Sequence, residues 1–142
     1  MKSFFLRLLP FSHKEQVRQF YKFSIIGVSN TVIDFSIYFV LTRTILTFSF
    51  GYLLANVISF SIAVTNSYIW NRLWTFRSQN NNKVLEFTKF YFVNLSGLLL
   101  STGLLFLFVH YAHLHDTVGK IIAIGIVMFW NFLINKFWVF KV

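Results

Sequence analysis

The sequence predicts an all-α membrane protein: four transmembrane helices, built as a tandem repeat of two parallel-oriented helical hairpins, with both termini in the cytoplasm and a short amphipathic segment at the N-terminus. Three observations predict it. Of the 142 residues, 56% are hydrophobic and only 12% charged, about half the charged fraction of a soluble domain, which leaves too little polar surface to cover a water-soluble fold of this size. Four stretches approach the roughly 20 apolar residues that a helix needs to cross about 30 Å of hydrocarbon. The 13 Lys and Arg residues, against 4 Asp and Glu, fall almost entirely on one side of those stretches. A β-barrel is excluded, because no alternation of period two runs through segments of about ten residues.

Taken in order, residues 1–21 read as an interfacial amphipathic segment. Phe4, Phe5, Leu6, Leu8 and Leu9 form an apolar run that Arg7 interrupts and Pro10 ends, too short and without the small-residue cleavage site of a signal peptide. Ser12-x-x-Glu15 is a capping box that starts a helix leading into the membrane, and Lys14, Arg18 and Lys22 recur every four residues as a basic stripe at the lipid head groups. The spans then follow over residues 23–42, with Asp34 inside; 50–71 and 90–110, both uncharged; and 118–138, with Lys120 and Lys136 near its ends. Long basic side chains snorkel from such positions. Lys2, Arg7, Lys14, Arg18 and Lys22 precede the first span, Arg72, Arg77, Lys83 and Lys89 lie between the second and third, and Lys136 and Lys141 close the chain. Only Arg43 and Lys120 stand opposite, so the positive-inside rule predicts an N-in, C-in topology.

The two halves resemble each other. Gln19-Phe20-Tyr21-Lys22-Phe23 matches Glu86-Phe87-Thr88-Lys89-Phe90, and Asn71-Arg72-Leu73-Trp74-Thr75-Phe76 matches Asn135-Lys136-Phe137-Trp138-Val139-Phe140. The offsets are 67 residues (22 to 89) and 64 residues (74 to 138). Two hairpins of one orientation, related by an axis along the membrane normal, are the expected arrangement. Ala55, Ser59, Ala63, Ser67 and Asn71 recur every fourth residue, with Gly119, Ala123, Val127, Asn131 and Asn135 as their counterparts. Small residues at that spacing let helices approach closely in lipid, which predicts that the second and fourth spans form a central seam.

Asp34 falls near the bilayer midplane, where an ionised side chain costs at least about 2.5 kcal/mol. Asn30, one turn earlier on the same face, makes with it a polar pair suited to a sugar hydroxyl or a proton. Asn56, Thr65, Asn66, Asn94 and Asn131 read as packing groups. Arg72 and Lys136 occupy repeat-related positions at the cytoplasmic ends of their spans; they read either as interfacial anchors or as two cations converging on one anion, Arg supplying a planar fork and Lys a point charge. His110, His113, His115 and Asp116 lack metal-site spacing, and no nucleophile, carboxylate pair or Gly-rich loop points to catalysis. An enzyme, a metal and a cofactor are therefore not expected. In so apolar a chain, a charge of +9 points to anionic membrane lipids rather than to nucleic acid.

The chain resembles the GtrA-like family of small membrane proteins. The resemblance is carried by Lys22-Phe23 through Gly27, by Asn30, Thr31, Asp34, Phe35 and Tyr38, by Ser59-Phe60 through Asn71-Arg72-x-Trp74-Thr75-Phe76, and by Asn131-Phe132-x-x-Asn135-Lys136-x-Trp138-x-Phe140. It implies a four-helix domain over residues 22–142 of a multi-pass protein in the cytoplasmic membrane of a bacterium. The implied activity is flipping of a polyprenyl-phosphate-linked monosaccharide to the outer leaflet for decoration of cell-surface polysaccharide. The implied partners are that sugar lipid, a membrane glycosyltransferase and a second copy in a homodimer; the alternative is a non-transporting adaptor for the glycosyltransferase. By resemblance, Arg72, Lys136, Lys22 and Lys89 are phosphate contacts, and Asn30, Asp34, Asn71 and Asn135 line the sugar path. Lys120 departs from the apolar pattern expected at the start of the fourth span.

Overall fold

A computed structural model describes residues 13–49 and 51–141, without the side chains of residues 52, 53, 116, 117 and 120. The expected amphipathic run before Pro10, the cap at Ser12 and the side chain of Lys120 lie outside the described residues. Among the described residues there are four α-helices: α1 (His13–Thr44), α2 (Gly51–Trp70), α3 (Lys83–His110) and α4 (Asp116–Ile134). Within the same residues, three segments are long and apolar enough to cross a membrane: His13–Thr44, Lys83–His110 and Ile121–Val139. At 32 residues, α1 is about 48 Å long and outruns the hydrocarbon core, so its first turns continue the expected span without a break. Asn82 caps α3 by accepting from Leu85 N at 3.0 Å.

Neither α2 nor α4 ends as an α-helix. Each closes in a π turn, Asn71–Thr75 and Asn135–Val139, in which Phe76 N donates to Asn71 O at 2.8 Å and Phe140 N to Asn135 O at 2.9 Å. Five residues along an α-helix rotate a side chain about 140° away from where it began; the wider i to i+5 closure returns it to the same side, so Asn71 and Phe76 are both buried, as are Asn135 and Phe140. Arg77 and Lys141 follow with φ of 50° and 52°, left-handed residues that terminate each helix where glycine is more usual.

The expected central seam is not what forms. Among the described residues the helix contacts run α1 to α2, α2 to α3, α3 to α4 and α4 to α1, a closed ring in which the backbones of α2 and α4 do not meet. The small residues are largely buried as the periodicity requires, Ala55, Ser59 and Ala123 completely, but backbone contact is most extensive within each hairpin rather than between α2 and α4. Phe23, Tyr68, Phe76, Phe90, Phe132 and Phe140 form an aromatic core at the π-turn end. Phe76 stacks on Phe140 at 4.8 Å and thereby joins the two hairpins, an arrangement of the kind worth about 1 kcal/mol beyond area burial.

Candidate functional site

Because diagonal helices do not touch, the ring encloses a cleft of about 350 Å³. Each helix contributes small or polar side chains. From α1 come Asn30, Thr31 and Asp34; from α2, Ala63 and Ser67, with Asn71 of the π turn that follows it; from α3, Asn94, Gly97 and Ser101; from α4, Val127 and Asn131. Among its lining residues Asp34 carries the sole formal charge. Val28 and Leu98 line it as well yet are 66% and 55% exposed, so the cleft opens sideways.

The hydrogen bonds of the lining residues fall into a pattern. Asn71 Nδ2 donates to Ser67 O at 3.0 Å and Asn94 Nδ2 to Phe90 O at 2.8 Å. Thr31 Oγ1 donates to Gly27 O at 3.1 Å. In each case a donor is used on a carbonyl one turn back in its own helix, and Asn71 Nδ2 gives its other hydrogen to Ser67 Oγ at 3.2 Å. The oxygens Asp34 Oδ1, Asn71 Oδ1 and Asn131 Oδ1 are buried with no partner in the protein, which a polar atom tolerates only at a cost of about 1–3 kcal/mol. Asn131 sits where it does because Gly97 makes room: a Cβ at Gly97 would lie 2.6 Å from Asn131 Nδ2.

Asn30 pairs across to α2, accepting from Asn66 Nδ2 at 3.1 Å, rather than forming a unit with Asp34 alone. Asn135 does not line the cleft; it is buried behind it, with Nδ2 donating to Asn131 O at 2.8 Å. Asn66, Asn94 and Asn131, read from sequence as packing groups, belong to the cleft or its wall, whereas Asn56 and Thr65 are exposed. Of the first three only Asn131 has a polar residue four positions away, Asn135, whereas Asn66 and Asn94 are flanked at that spacing by apolar residues and carry no such signal; which face meets a cavity is not in the spacing.

The basic residues lie outside the cleft. Arg72 is ion-paired with Glu86 of α3, its Nη1 also reaching Tyr68 OH at 3.4 Å and its Nη2 donating to Asn80 O at 2.7 Å. Glu86, 1% exposed, further accepts from Tyr68 OH at 3.0 Å and from Ser78 Oγ at 2.6 Å. Burial works against the guanidinium charge, but the hydrogen bonds to Glu86 and Tyr68 outweigh it and raise its pKa above the ordinary value. Arg72 is thus charge-compensated, which differs from two cations converging on one anion. Lys136, 2% exposed, lies over the rings of Phe132 and Phe137 at 5.8 and 5.5 Å. Lys22 covers the Trp74 ring at 4.9 Å and Lys89 the Trp138 ring at 5.2 Å, each basic residue packing on the tryptophan of its own hairpin. Sequence reasoning missed Glu86 as the partner of Arg72, although it is one of only four acidic residues in the chain.

Comparison with known proteins adds family evidence. A family model described as the GtrA/DPMS transmembrane domain matches residues 22–140. The uncharacterized membrane protein YngA of Bacillus subtilis (strain 168) is 34% identical over 127 residues, covering 89% of this chain and 82% of the relative. The uncharacterized membrane protein YwcD of the same organism is 24% identical over 120 residues, covering 82% of this chain and 92% of that relative.

Proposed function

From the premise that the chain belongs to the GtrA/DPMS transmembrane-domain family, we propose that it carries a polyprenyl-phosphate-linked monosaccharide from the cytoplasmic to the outer leaflet of a bacterial cell membrane. The observation that carries this reading is the cleft: a polar lining that holds Asp34 and three buried, unpartnered oxygens, one of them from that carboxylate, between helices that are largely apolar outside it. A polar head group cannot cross hydrocarbon unaided. The cleft supplies groups for it to bond, and the sideways opening at Val28 and Leu98 lets an isoprenoid tail remain in lipid.

In this reading all four helices span the bilayer, N-in and C-in, as two parallel hairpins. The paired π turns, the left-handed residues that end them, and the two Lys-over-Trp contacts support the repeat, since each recurs at the equivalent place. The phosphate sits at the basic cytoplasmic rim, near Lys22, Lys89 and Lys136. Arg72 joins it only by exchanging Glu86 for the incoming anion. A membrane glycosyltransferase that makes the sugar lipid is the proposed partner, with anionic lipids at the rim and a second copy of the chain completing the assembly.

The test is leaflet exchange of a polyprenyl-phosphate monosaccharide in proteoliposomes containing only this protein. We expect exchange with the native chain and at least about a tenfold loss with Asp34→Asn, the magnitude of a lost charged contact of about 1.4 kcal/mol or more. A folded native chain that exchanges none of several sugar lipids discards the transport reading in favour of an adaptor.

A further inference from the structure

The two hairpins meet along two seams, α2 against α3 and α4 against α1, and the sequence repeat carries one onto the other. Their aromatic packing is matched. Tyr68 meets Phe87 and Phe90 at ring distances of 5.2 and 5.7 Å, and its counterpart Phe132 meets Phe20 and Phe23 at the same 5.2 and 5.7 Å. Each seam adds one more ring pair, Phe60 with Tyr91 at 5.7 Å and Phe20 with Phe129 at 6.2 Å. The polar contacts are not matched. Across the first seam the buried Glu86 is ion-paired with Arg72 and accepts from Tyr68 OH at 3.0 Å and from Ser78 Oγ at 2.6 Å, so both its oxygens are bonded. In the second seam Gln19 stands in the place of Glu86 and Phe132 in that of Tyr68, which removes the carboxylate and the hydroxyl together. Gln19 is 3% exposed and its Oε1 has no partner.

We infer that the ring parts at the α1/α4 seam while the α2/α3 seam, clamped by Glu86, serves as the hinge. Opening the clamped seam breaks a buried, charge-assisted network and strands its members. Opening the other breaks no such network, and it lets a buried amide oxygen find the hydrogen bond it lacks. Backbone contact in the ring is also least extensive between α4 and α1. The cleft already reaches this flank: Val28, 66% exposed, lies about 200° around α1 from Asn30, which is bonded to α2 through Asn66, and Ile124 of α4 lines the cleft while 50% exposed. Leu98 opens it beside α3 as well, so what separates the two flanks is the clamp. That a sugar lipid enters by this route rests on the transport reading; the parting of the seam is measurable without transport.

Exposed, repeat-related positions flank each seam at the π-turn end: Tyr21 and Phe137 beside α1/α4, Thr88 and Leu73 beside α2/α3. The chain contains no cysteine, so a pair of introduced cysteines carries two nitroxides whose separation in nanodiscs is read by dipolar electron spin resonance. The expected result is a second, longer distance for Tyr21→Cys with Phe137→Cys and a single distance for Leu73→Cys with Thr88→Cys. Adding Gln19→Glu and Phe132→Tyr rebuilds the clamp in the open seam, with Lys136 in the place of Arg72, and is expected to abolish the longer distance. A single distance at both seams, two distances at both, or a longer distance that survives the rebuilt clamp overturns the inference. Should the rebuilt chain not fold, Glu86→Gln with Tyr68→Phe gives the α2/α3 seam the polar groups of its counterpart: a second distance then appears between positions 73 and 88, and an unchanged single distance overturns the inference. Parting of the α1/α4 seam in a chain that exchanges no sugar lipid retains the gate and discards transport; exchange in a chain with a single distance at both seams does the reverse.

Discussion

Two residue-level contacts decide what the site is made of. Glu86 is fully buried and Arg72 nearly so, and removing one member of such a pair strands the other charge. Replacing Glu86 with Met is expected to cost about 3–5 kcal/mol, and joint replacement of Arg72 and Glu86 by Met much less, since no orphaned charge remains; reversible unfolding in mixed micelles measures both. Gly97→Ala tests the second contact. The added Cβ must displace the end of the Asn131 side chain, so a loss of about 1 kcal/mol is expected in the same unfolding measurement. The polar residues of the site are legible one at a time in the sequence. Asp34, Asn30 and Asn71 stand out because polarity is expensive in lipid, but the pairing of Arg72 with Glu86, 14 residues on, is not, because the π turn and the loop at Ser78 set the direction of the guanidinium.

Elements pack here through small residues on one side and large apolar residues on the other. Ser59 is fully buried, while Val57 of the same helix is 59% exposed. Ser59→Leu is therefore expected to cost about 1–3 kcal/mol by overpacking and Val57→Leu close to nothing, with thermal melting of the purified variants as the check. The fourfold spacing of Ala55, Ser59, Ala63 and Ser67 makes the buried face readable. The neighbour that covers it differs from the expected one, because periodicity states which side of a helix is buried and is silent about what buries it. The π turns are partly legible too: Asn71 to Phe76 and Asn135 to Phe140 are steps of five, out of phase with an α-helix yet repeated in both halves. Lys22 over Trp74 and Lys89 over Trp138 close each hairpin at its basic end, and Lys89→Met should destabilise by about 0.5–1 kcal/mol, the range for a partly exposed cation–π contact.

At the scale of the whole molecule, the charge pattern predicts an N-in, C-in topology, which cysteine accessibility checks in a chain with no cysteine of its own. Gln79→Cys, in the loop before α3, should label only from the cytoplasmic side, and Ala112→Cys, after α3, only from the outside. Reversal of the two, or labelling of both from one side, removes the N-in, C-in arrangement. The sequence by itself determined the all-helical membrane class and the resemblance in sequence between the two halves. Both follow from local composition and period, which the cost of exposing backbone and charge to hydrocarbon makes decisive. Only the tertiary structure decided that the four helices form a ring around a polar cleft, that Asn71 lines it while its counterpart Asn135 does not, and that Arg72 is held by Glu86. Those outcomes depend on the angle at which each helix meets two neighbours, and that angle is set jointly by Gly97, the small-residue stripes and the aromatic core, residues far apart in the chain that act on one another only after the helices have packed.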